Sequence, residues 1–194
     1  MHPSIISSPT RVVRKSGLTL AAHWLSALAL GLAFGLVWIR ESLDDDAIGQ
    51  LLLAWHRQLG LLVLLLLAAR LIARRRQSRQ EQVLPPLLHW ASQATQWLFY
   101  LLLLTMPLLG WAMTSAQGHA LQLFNLAPLP PLLSVNPDLA DSLQEWHELG
   151  ASCLLGLIAL HVLAALWHHG IRRDGVLASM LPLVQPRAPR RFDL

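Results

Sequence analysis

Two histidines, His147 and His161, lie fourteen positions apart in the mostly apolar stretch EWHELGASCLLGLIALH, residues 145–161. Each residue of an α-helix advances the chain by about 100° and about 1.5 Å, so both imidazoles leave the helix within about 40° of one face and about 21 Å apart. That distance is most of the thickness of a bilayer core, which is about 30 Å. The spacing predicts a membrane-spanning helix that presents imidazoles to two sites at different depths.

Two further histidines match these by depth. His23 lies about one turn into the first apolar run of the chain, and His56 lies about one turn into the second. In runs that cross a membrane in alternate directions, His56 and His147 form an outer pair, and His23 and His161 form an inner pair. Two imidazoles on facing helices at one depth are how a bundle holds a haem iron in its core. A lone histidine in such a segment can simply hydrogen-bond between helices, but two pairs matched by depth favour iron ligands.

The histidines depend for their positions on four long apolar runs, which are residues 18–39, 51–72, 97–116 and 143–168. Hydrophobic residues make up 54% of the 194-residue chain and charged residues only 13%, and the mean hydropathy is +0.46. A soluble domain carries about twice that charged fraction. Each run is about long enough to cross a bilayer as a helix. The sequence predicts an all-α, up-down four-helix bundle in a membrane.

The sequence also gives expectations for the connections between the apolar runs and for the two ends of the chain. The stretch 117–140 contains APLPPLL, whose prolines argue against a fifth span. Beyond residue 175, the stretch VLASML predicts a short amphipathic turn before a basic tail. We expect a transmembrane domain at residues 18–172, an N-terminal segment at 1–17 and a tail at 173–194.

Basic residues set the expected orientation. Every Lys and Arg except Arg40 and Arg57 lies before the first run, between the second and third, at the end of the second, or after the fourth. Because Lys and Arg accumulate on the cytoplasmic side of membrane proteins, we expect both termini in the cytoplasm. Membrane topology thus accounts for the basic residues, so they do not indicate a nucleic-acid partner. The expected surroundings of the protein are membrane lipids.

Three other residues lie near the histidines. Arg57 follows His56 directly and matches the geometry of a haem propionate, although an arginine at a helix end needs no such partner. Arg70 lies deeper than the arginines that follow it and is the better candidate for contact with a propionate or a quinone. His168 lies two turns past His161 on the same face, where it either reaches a ligand beside the inner site or is a solvated helix end.

The single cysteine, Cys153, excludes an intrachain disulfide and a Cys-x-x-Cys-His haem attachment. It lies six residues beyond His147, roughly on the opposite side of the helix. Packing in the core or against lipid is its expected role.

These features together resemble the bacterial cytochrome b561 family of four-helix, two-haem membrane cytochromes. The resemblance covers roughly residues 15–181 and depends on one motif in each run: LAAHWLSALAL, WHRQLGLLVLLLLAARL, LFYLLLLTMPLLGWAMTSA, and EWHELGASCLLGLIALHVLAALWHH followed by RDGVLASM. None of these motifs would suffice alone.

The resemblance implies two haem b groups, each held by two histidines, from the positions that match His23, His56, His147 and His161. It also implies a protein of the bacterial inner membrane that transfers electrons between a periplasmic donor and ubiquinone. Some family members are superoxide:ubiquinone oxidoreductases, in which the histidine corresponding to His168 is associated with quinone. This sequence is accordingly expected to be an oxidoreductase, and no catalytic residue is assigned.

The outer connections are acidic, which weakens the case for superoxide as the donor. A like-signed field slows the encounter with an anion such as superoxide, and only Arg40 and Arg57 oppose it. A local pocket around Arg57 would still attract superoxide. The outer carboxylates are Glu41, Asp44, Asp45, Asp46, Asp138, Asp141, Glu145 and Glu148.

Two other functions remain open from the sequence. The chain also looks similar to the cytochrome b subunits that anchor larger hydrogenases or dehydrogenases, which pass electrons from a partner to quinone. A transporter with a histidine-lined path for protons or metal ions belongs to a different class of protein. Colour separates the classes, because only a haem protein is red.

Overall fold

The computed structural model describes residues 16–76, 86–124, 126–173 and 176–181. Its long helices are α1 (Gly17–Glu41), α2 (Asp46–Arg76), α3 (Pro86–Ala116) and α4 (Pro137–Trp167); a π-helical turn (His168–Arg172) and a short helix, α5 (Val176–Met180), follow α4. All four long helices are long and apolar enough to cross a membrane, so the all-α membrane bundle is confirmed. Of the expected terminal segments, 1–17 and 173–194, the structure describes residues 16–17, 173 and 176–181, and α5 occupies most of the predicted VLASML turn.

Two helices begin earlier than the apolar runs predicted. α3 begins at Pro86 rather than at 97, and α4 begins at Pro137 rather than at 143. Proline fits the first turn of a helix, where its missing N–H has no intrahelical partner in any case. The side chain of Asn136 caps α4 by accepting a hydrogen bond from the Leu139 N–H at 3.1 Å. Helix ends therefore follow capping residues, whereas hydropathy marks only the part that faces lipid.

Small residues on α1 allow close packing against α2. The buried residues of α1 are Ala22, Ser26, Ala29 and Ala33, spaced three or four apart as one helix face requires. Ala29 forms the centre of the core with Val63 and Leu67 of α2 and Leu103 of α3. Such small residues let helix backbones approach closely in a membrane.

A second row of small residues on α1, made by Ala27, Gly31 and Gly35, lies beside the tightly packed one. Ala27 is exposed, and no described atom lies within 4 Å of a Cβ added at Gly31 or Gly35. These residues continue the helix face of His23, whereas the tightly packed face begins one position earlier, at Ala22. A stripe of small residues thus lay on each of two faces, and only packing distinguished them.

Most of the apolar surface faces away from the protein. Only 11–22% of the apolar window of each span is buried within the chain. A soluble protein does not leave so much contiguous apolar surface open to water. The exposed helix surface is therefore lipid-facing.

The connection between α3 and α4 forms a two-stranded hairpin rather than a fifth span. Strands β1 (Gln122–Leu123) and β2 (Ala127–Pro128) pair antiparallel. The side-chain amide of Gln58 fastens β1 to α2: its Nε2 donates to the Gln122 carbonyl at 2.9 Å, and its Oε1 accepts from the Phe124 N–H at 2.8 Å. Trp111 Nε1 donates to the Pro130 carbonyl at 3.2 Å on the α3 side. The hairpin is thus fixed across the outer end of the bundle.

Candidate functional site

The four histidines singled out in the sequence meet in the two expected pairs. The ring centres of His56 and His147 lie 6.2 Å apart, and those of His23 and His161 lie 6.3 Å apart. The ring planes are inclined by 74° and 65°, respectively. The side chains of His23, His56 and His147 are half-buried, and that of His161 is exposed.

The pairing also fixes the directions of the helices. His23 lies near the start of α1 and meets a histidine near the end of α4, so these helices run in opposite directions. His56 and His147 lie near the starts of α2 and α4 and meet each other, so these helices run in the same direction. This is the up-down order that the sequence predicted.

The separation of the rings fits one metal ion held between each pair. Metal–imidazole bonds of about 2 Å on opposite sides of an ion put the two ring centres about 6 Å apart. Within the described residues the histidines meet two at a time, and no group of three or more His, Cys, Asp or Glu side chains is suited to a metal ion. A pair of imidazoles would suit a haem iron, since the porphyrin supplies most of its ligands.

A backbone hydrogen bond sets the tautomer of one outer histidine. Nδ1 of His56 lies 3.0 Å from the carbonyl oxygen of Ala33 on α1. A carbonyl only accepts hydrogen bonds, so Nδ1 carries the proton and donates it. Nε2 is then left as the unprotonated, metal-binding nitrogen. The small side chain of Ala33, which is buried, lets α2 approach α1 closely enough for this bond.

Polar atoms near the two pairs are buried without a partner. Among the described residues, Nδ1 of His23 and Nε of Arg57 have no hydrogen-bond partner although they are buried, whereas the Met106 backbone faces the His147 imidazole. Nearly all buried polar atoms in proteins are hydrogen-bonded, and an ionised group inside a membrane segment is expensive. Such atoms mark places where a further, polar group belongs.

A cavity of about 440 Å³ opens at the outer ends of the helices, beside Arg57. Arg40 also lines it and lies close enough to Arg57 for their charges to interact. Two guanidinium groups in one cleft favour a small anion or a carboxylate. The other lining residues are Gln50, Leu53, Ala116, Gln117, His119, Val135, Pro137, Ala140 and Asp141.

The inner pair has a different set of neighbours. Phe99 of α3 meets the His161 ring edge-on, with centres 5.4 Å apart, and Trp24 meets the His23 ring at 5.3 Å. Arg70 is near enough to both histidines of the pair to act on them electrostatically. Arg70 thus lies beside the inner pair, and its expected contact with a propionate or a quinone stays a prediction.

Farther in, a second arginine of α2 is held between aromatic residues of α3. Arg74 donates from Nη1 to the Tyr100 hydroxyl at 3.2 Å, and its guanidinium lies over the rings of Trp97 and Tyr100. Gln96 donates to the same hydroxyl at 3.1 Å. This cation–π cluster holds the inner ends of α2 and α3 together.

His168 begins the π-helical turn after α4 and is half-buried. Its ring packs edge-on against Trp167, with ring centres 5.1 Å apart. The turn ends at Arg173, whose left-handed backbone lets its N–H donate to the His168 carbonyl at 2.7 Å. His168 is thus fixed at the inner end of the helix that carries two of the four histidines.

Sequence reasoning missed the residues that support the histidines from neighbouring helices. Ala33 acts through its carbonyl, Phe99 acts through its ring, and Gly110 faces the His147 ring. An alanine or glycine in an apolar run carries no signal of its own. Of these three residues, only Phe99 could have been singled out from the sequence, because it is an aromatic residue in α3.

Comparison with known proteins agrees with this geometry. A family model described as prokaryotic cytochrome b561 matches residues 14–183. A Yersinia pestis protein named probable superoxide oxidase CybB is 35% identical over 97 residues, which cover 50% of this chain and 54% of that protein. The chain therefore spans about half the length of that relative.

Two Escherichia coli (strain K12) proteins align over more of their length. Cytochrome b561 homolog 1 is 29% identical over 175 residues, covering 87% of this chain and 97% of that protein. Cytochrome b561 homolog 2 is 28% identical over 171 residues, covering 84% and 89%, respectively. The similarity thus extends over all four helices.

Proposed function

Since the chain belongs to the prokaryotic cytochrome b561 family of electron-transfer membrane cytochromes, we propose that it holds two haem b groups and passes electrons from a periplasmic donor to ubiquinone. One haem would be held by His56 and His147, and the other by His23 and His161. The observation that carries this proposal is the pairing of four imidazoles at ring separations of 6.2 Å and 6.3 Å.

When bound, the haems supply one-electron redox chemistry at two depths of the membrane. The protein residues orient and enclose them. The Ala33 carbonyl holds His56 in the tautomer that leaves Nε2 free to bind iron. Arg57 beside the outer pair and Arg70 beside the inner pair carry the positive charge that propionates need. Of the two arginines, Arg57 is the better supported as a propionate contact, because its Nε has no hydrogen-bond partner.

The cavity beside Arg40 and Arg57 is the proposed place of electron entry. Superoxide is the first candidate donor, because the Yersinia pestis relative is named as a probable superoxide oxidase. The two guanidinium groups supply a local positive field for an anion, although the surrounding outer surface is acidic. In the proposed reaction two superoxide anions each lose one electron and become dioxygen.

The inner end of the bundle is the proposed site of ubiquinone reduction. Two electrons and two protons convert ubiquinone to ubiquinol. His168, fixed in the π-helical turn, is the proposed proton donor or quinone contact, and Arg70, which lies near His161, is a second proposed contact. An imidazole suits this role because it exchanges protons near neutral pH.

The family and the four spans fit a multi-pass protein of the bacterial inner membrane. We further propose that both termini are cytoplasmic. The basic residues of the chain support this orientation, since nearly all of them lie on the side of the termini. The outer pair then faces the periplasm and the inner pair faces the cytoplasm.

Haem content tests the proposal. The purified protein, assayed as its pyridine haemochrome, should contain about two haems b per chain, because each imidazole pair binds one iron. Substitution of any one of the four histidines by alanine should leave about one haem. His89→Ala, at the start of α3, is the matched control and should retain both. A colourless wild-type preparation would instead favour the histidine-lined transporter.

A further inference from the structure

α3 supplies no histidine to either pair, but it contacts the outer site closely. A Cβ added at Gly110 would lie 3.4 Å from Cε1 and 3.7 Å from Nδ1 of His147. One helical turn away, a Cβ added at Gly150 of α4 would lie only 2.5 Å from Sδ of Met106 on α3. Real Cβ atoms essentially never approach another heavy atom so closely, so the second position has no room for a side chain.

These four residues form a reciprocal contact. Met106 and Gly110 lie one turn apart on α3, and His147 and Gly150 lie one turn apart on α4. Each helix offers one large side chain and one glycine, and each large side chain packs against the glycine of the other helix. We call this contact, made by Met106, Gly110, His147 and Gly150, the α3–α4 interlock.

The interlock leaves little freedom for rearrangement. Met106 is 7% exposed, and the atom that meets Gly150 is its sulfur, which lies within the side chain rather than at its tip. Closely packed side chains transmit a change of volume to their neighbours. A methyl group at position 150 must therefore displace the thioether or push α4, with His147 one turn away, from α3.

We propose that the α3–α4 interlock sets the position of the His147 imidazole as a ligand of the outer haem. Met106, Gly110 and Gly150 are positioning residues in this proposal, and none of them binds iron. The inference rests on the proposed function, since it assigns His147 to the outer haem. It adds a structural role for α3: α1 fixes His56 through the Ala33 carbonyl, and α3 fixes His147 by shape.

A control on the same helix separates this effect from helix propensity. Glycine is unfavourable inside a helix compared with alanine, so Gly→Ala should help the helix wherever space allows. Gly156 of α4 meets this condition, because no described atom lies within 4 Å of a Cβ added there. Gly150→Ala and Gly156→Ala thus make the same change in one helix with opposite steric consequences.

The test uses the complete, haem-loaded protein and follows haem content and the low-spin ferric electron paramagnetic resonance (EPR) signals. The His161→Ala variant, which keeps only the outer pair, identifies the outer signal. Gly150→Ala should lower the outer haem content by half or more, or shift the outer signal and its midpoint potential, with the inner haem unchanged. Gly156→Ala should match the wild type.

Removal of the thioether should rescue the variant. In the double variant Met106→Ala/Gly150→Ala the added Cβ no longer meets sulfur, so the outer signal should return to that of Met106→Ala alone. An unchanged outer haem in Gly150→Ala overturns the proposal, as does a double variant no better than Gly150→Ala.

Gly110→Val keeps the test decisive if Gly150→Ala does not accumulate. Its Cβ would already be in van der Waals contact with the imidazole of His147, so the two methyl groups beyond it should displace the ring and shift the outer EPR signal, with the inner haem unchanged. An outer signal identical to that of the wild type would overturn the proposal. A wild-type protein without two haems would defeat the proposed function itself, whereas normal wild-type haem with unaffected glycine variants defeats only the interlock.

Discussion

The outer and inner histidine pairs have nearly equal ring separations, 6.2 Å and 6.3 Å, but different surroundings. At the outer pair, His56 bonds to a backbone carbonyl of α1, His147 packs against a glycine of α3, and the hairpin crosses the end of the bundle. At the inner pair, the neighbours are the rings of Trp24 and Phe99, and His161 is exposed.

The difference indicates two kinds of support. A backbone contact moves only with its helix, so the support of the outer imidazoles is the less adaptable of the two. An aromatic side chain can also change rotamer, and the inner pair has an exposed edge at His161. This division suits the proposed roles, with a fixed electron-accepting site outside and an accessible site for exchange of a bulky quinone inside.

The largest expected effect breaks the outer support. Ala33→Leu adds bulk at a buried α1–α2 contact, where overpacking costs about 1–3 kcal/mol, and it moves the carbonyl that holds His56. The outer haem should be lost from most molecules while the inner haem remains, as measured by haem content and EPR. Ala21→Leu, an exposed position of the same helix on roughly the opposite side from His23, should leave both haems bound. Equal loss of both haems from Ala33→Leu would mean that the two pairs are not supported independently.

An effect of intermediate size is expected at the inner end of the bundle, where ubiquinone reduction is proposed. His168→Ala should slow ubiquinone reduction by about tenfold or more, because a positioned acid–base group contributes at least that much. Haem content and the rate of electron entry at the outer side should not change. His169→Ala, at the next position of the same turn, is the control. Undiminished quinone reduction in stopped-flow assays of His168→Ala would remove this histidine from the mechanism.

The smallest expected effect concerns charge. Reduction adds an electron, so a nearby positive charge raises the midpoint potential of a haem. Arg57→Gln should lower the potential of the outer haem by tens of millivolts, and Arg70→Gln should do the same to the inner haem. Redox titration of each variant measures both, with Arg75→Gln, an exposed position on α2, as the control. A change confined to the opposite haem would reverse the assignment of the two arginines.

The sequence was sufficient to predict the pairing of the histidines. Each of the four lies in an apolar run at a depth that one partner shares, and the up-down order leaves a single way to match them. The position of Arg70 beside the inner pair became visible only in the structure. The apolar run of α3 covered only residues 97–116, whereas the helix begins at Pro86, because polar residues are interspersed in the stretch 86–96.

Hydropathy, helical period and the spacing of polar residues are properties of one segment at a time, and they determined the four spans, their order and the depth of each imidazole. The support for the ligands was decided only by the tertiary structure. Which carbonyl faces His56 and which glycine faces His147 depend on the rotation and register of neighbouring helices. The rotation and register of the helices arise from the packing of all the side chains together. An alanine or a glycine in an apolar run therefore does not predict which neighbour it will face.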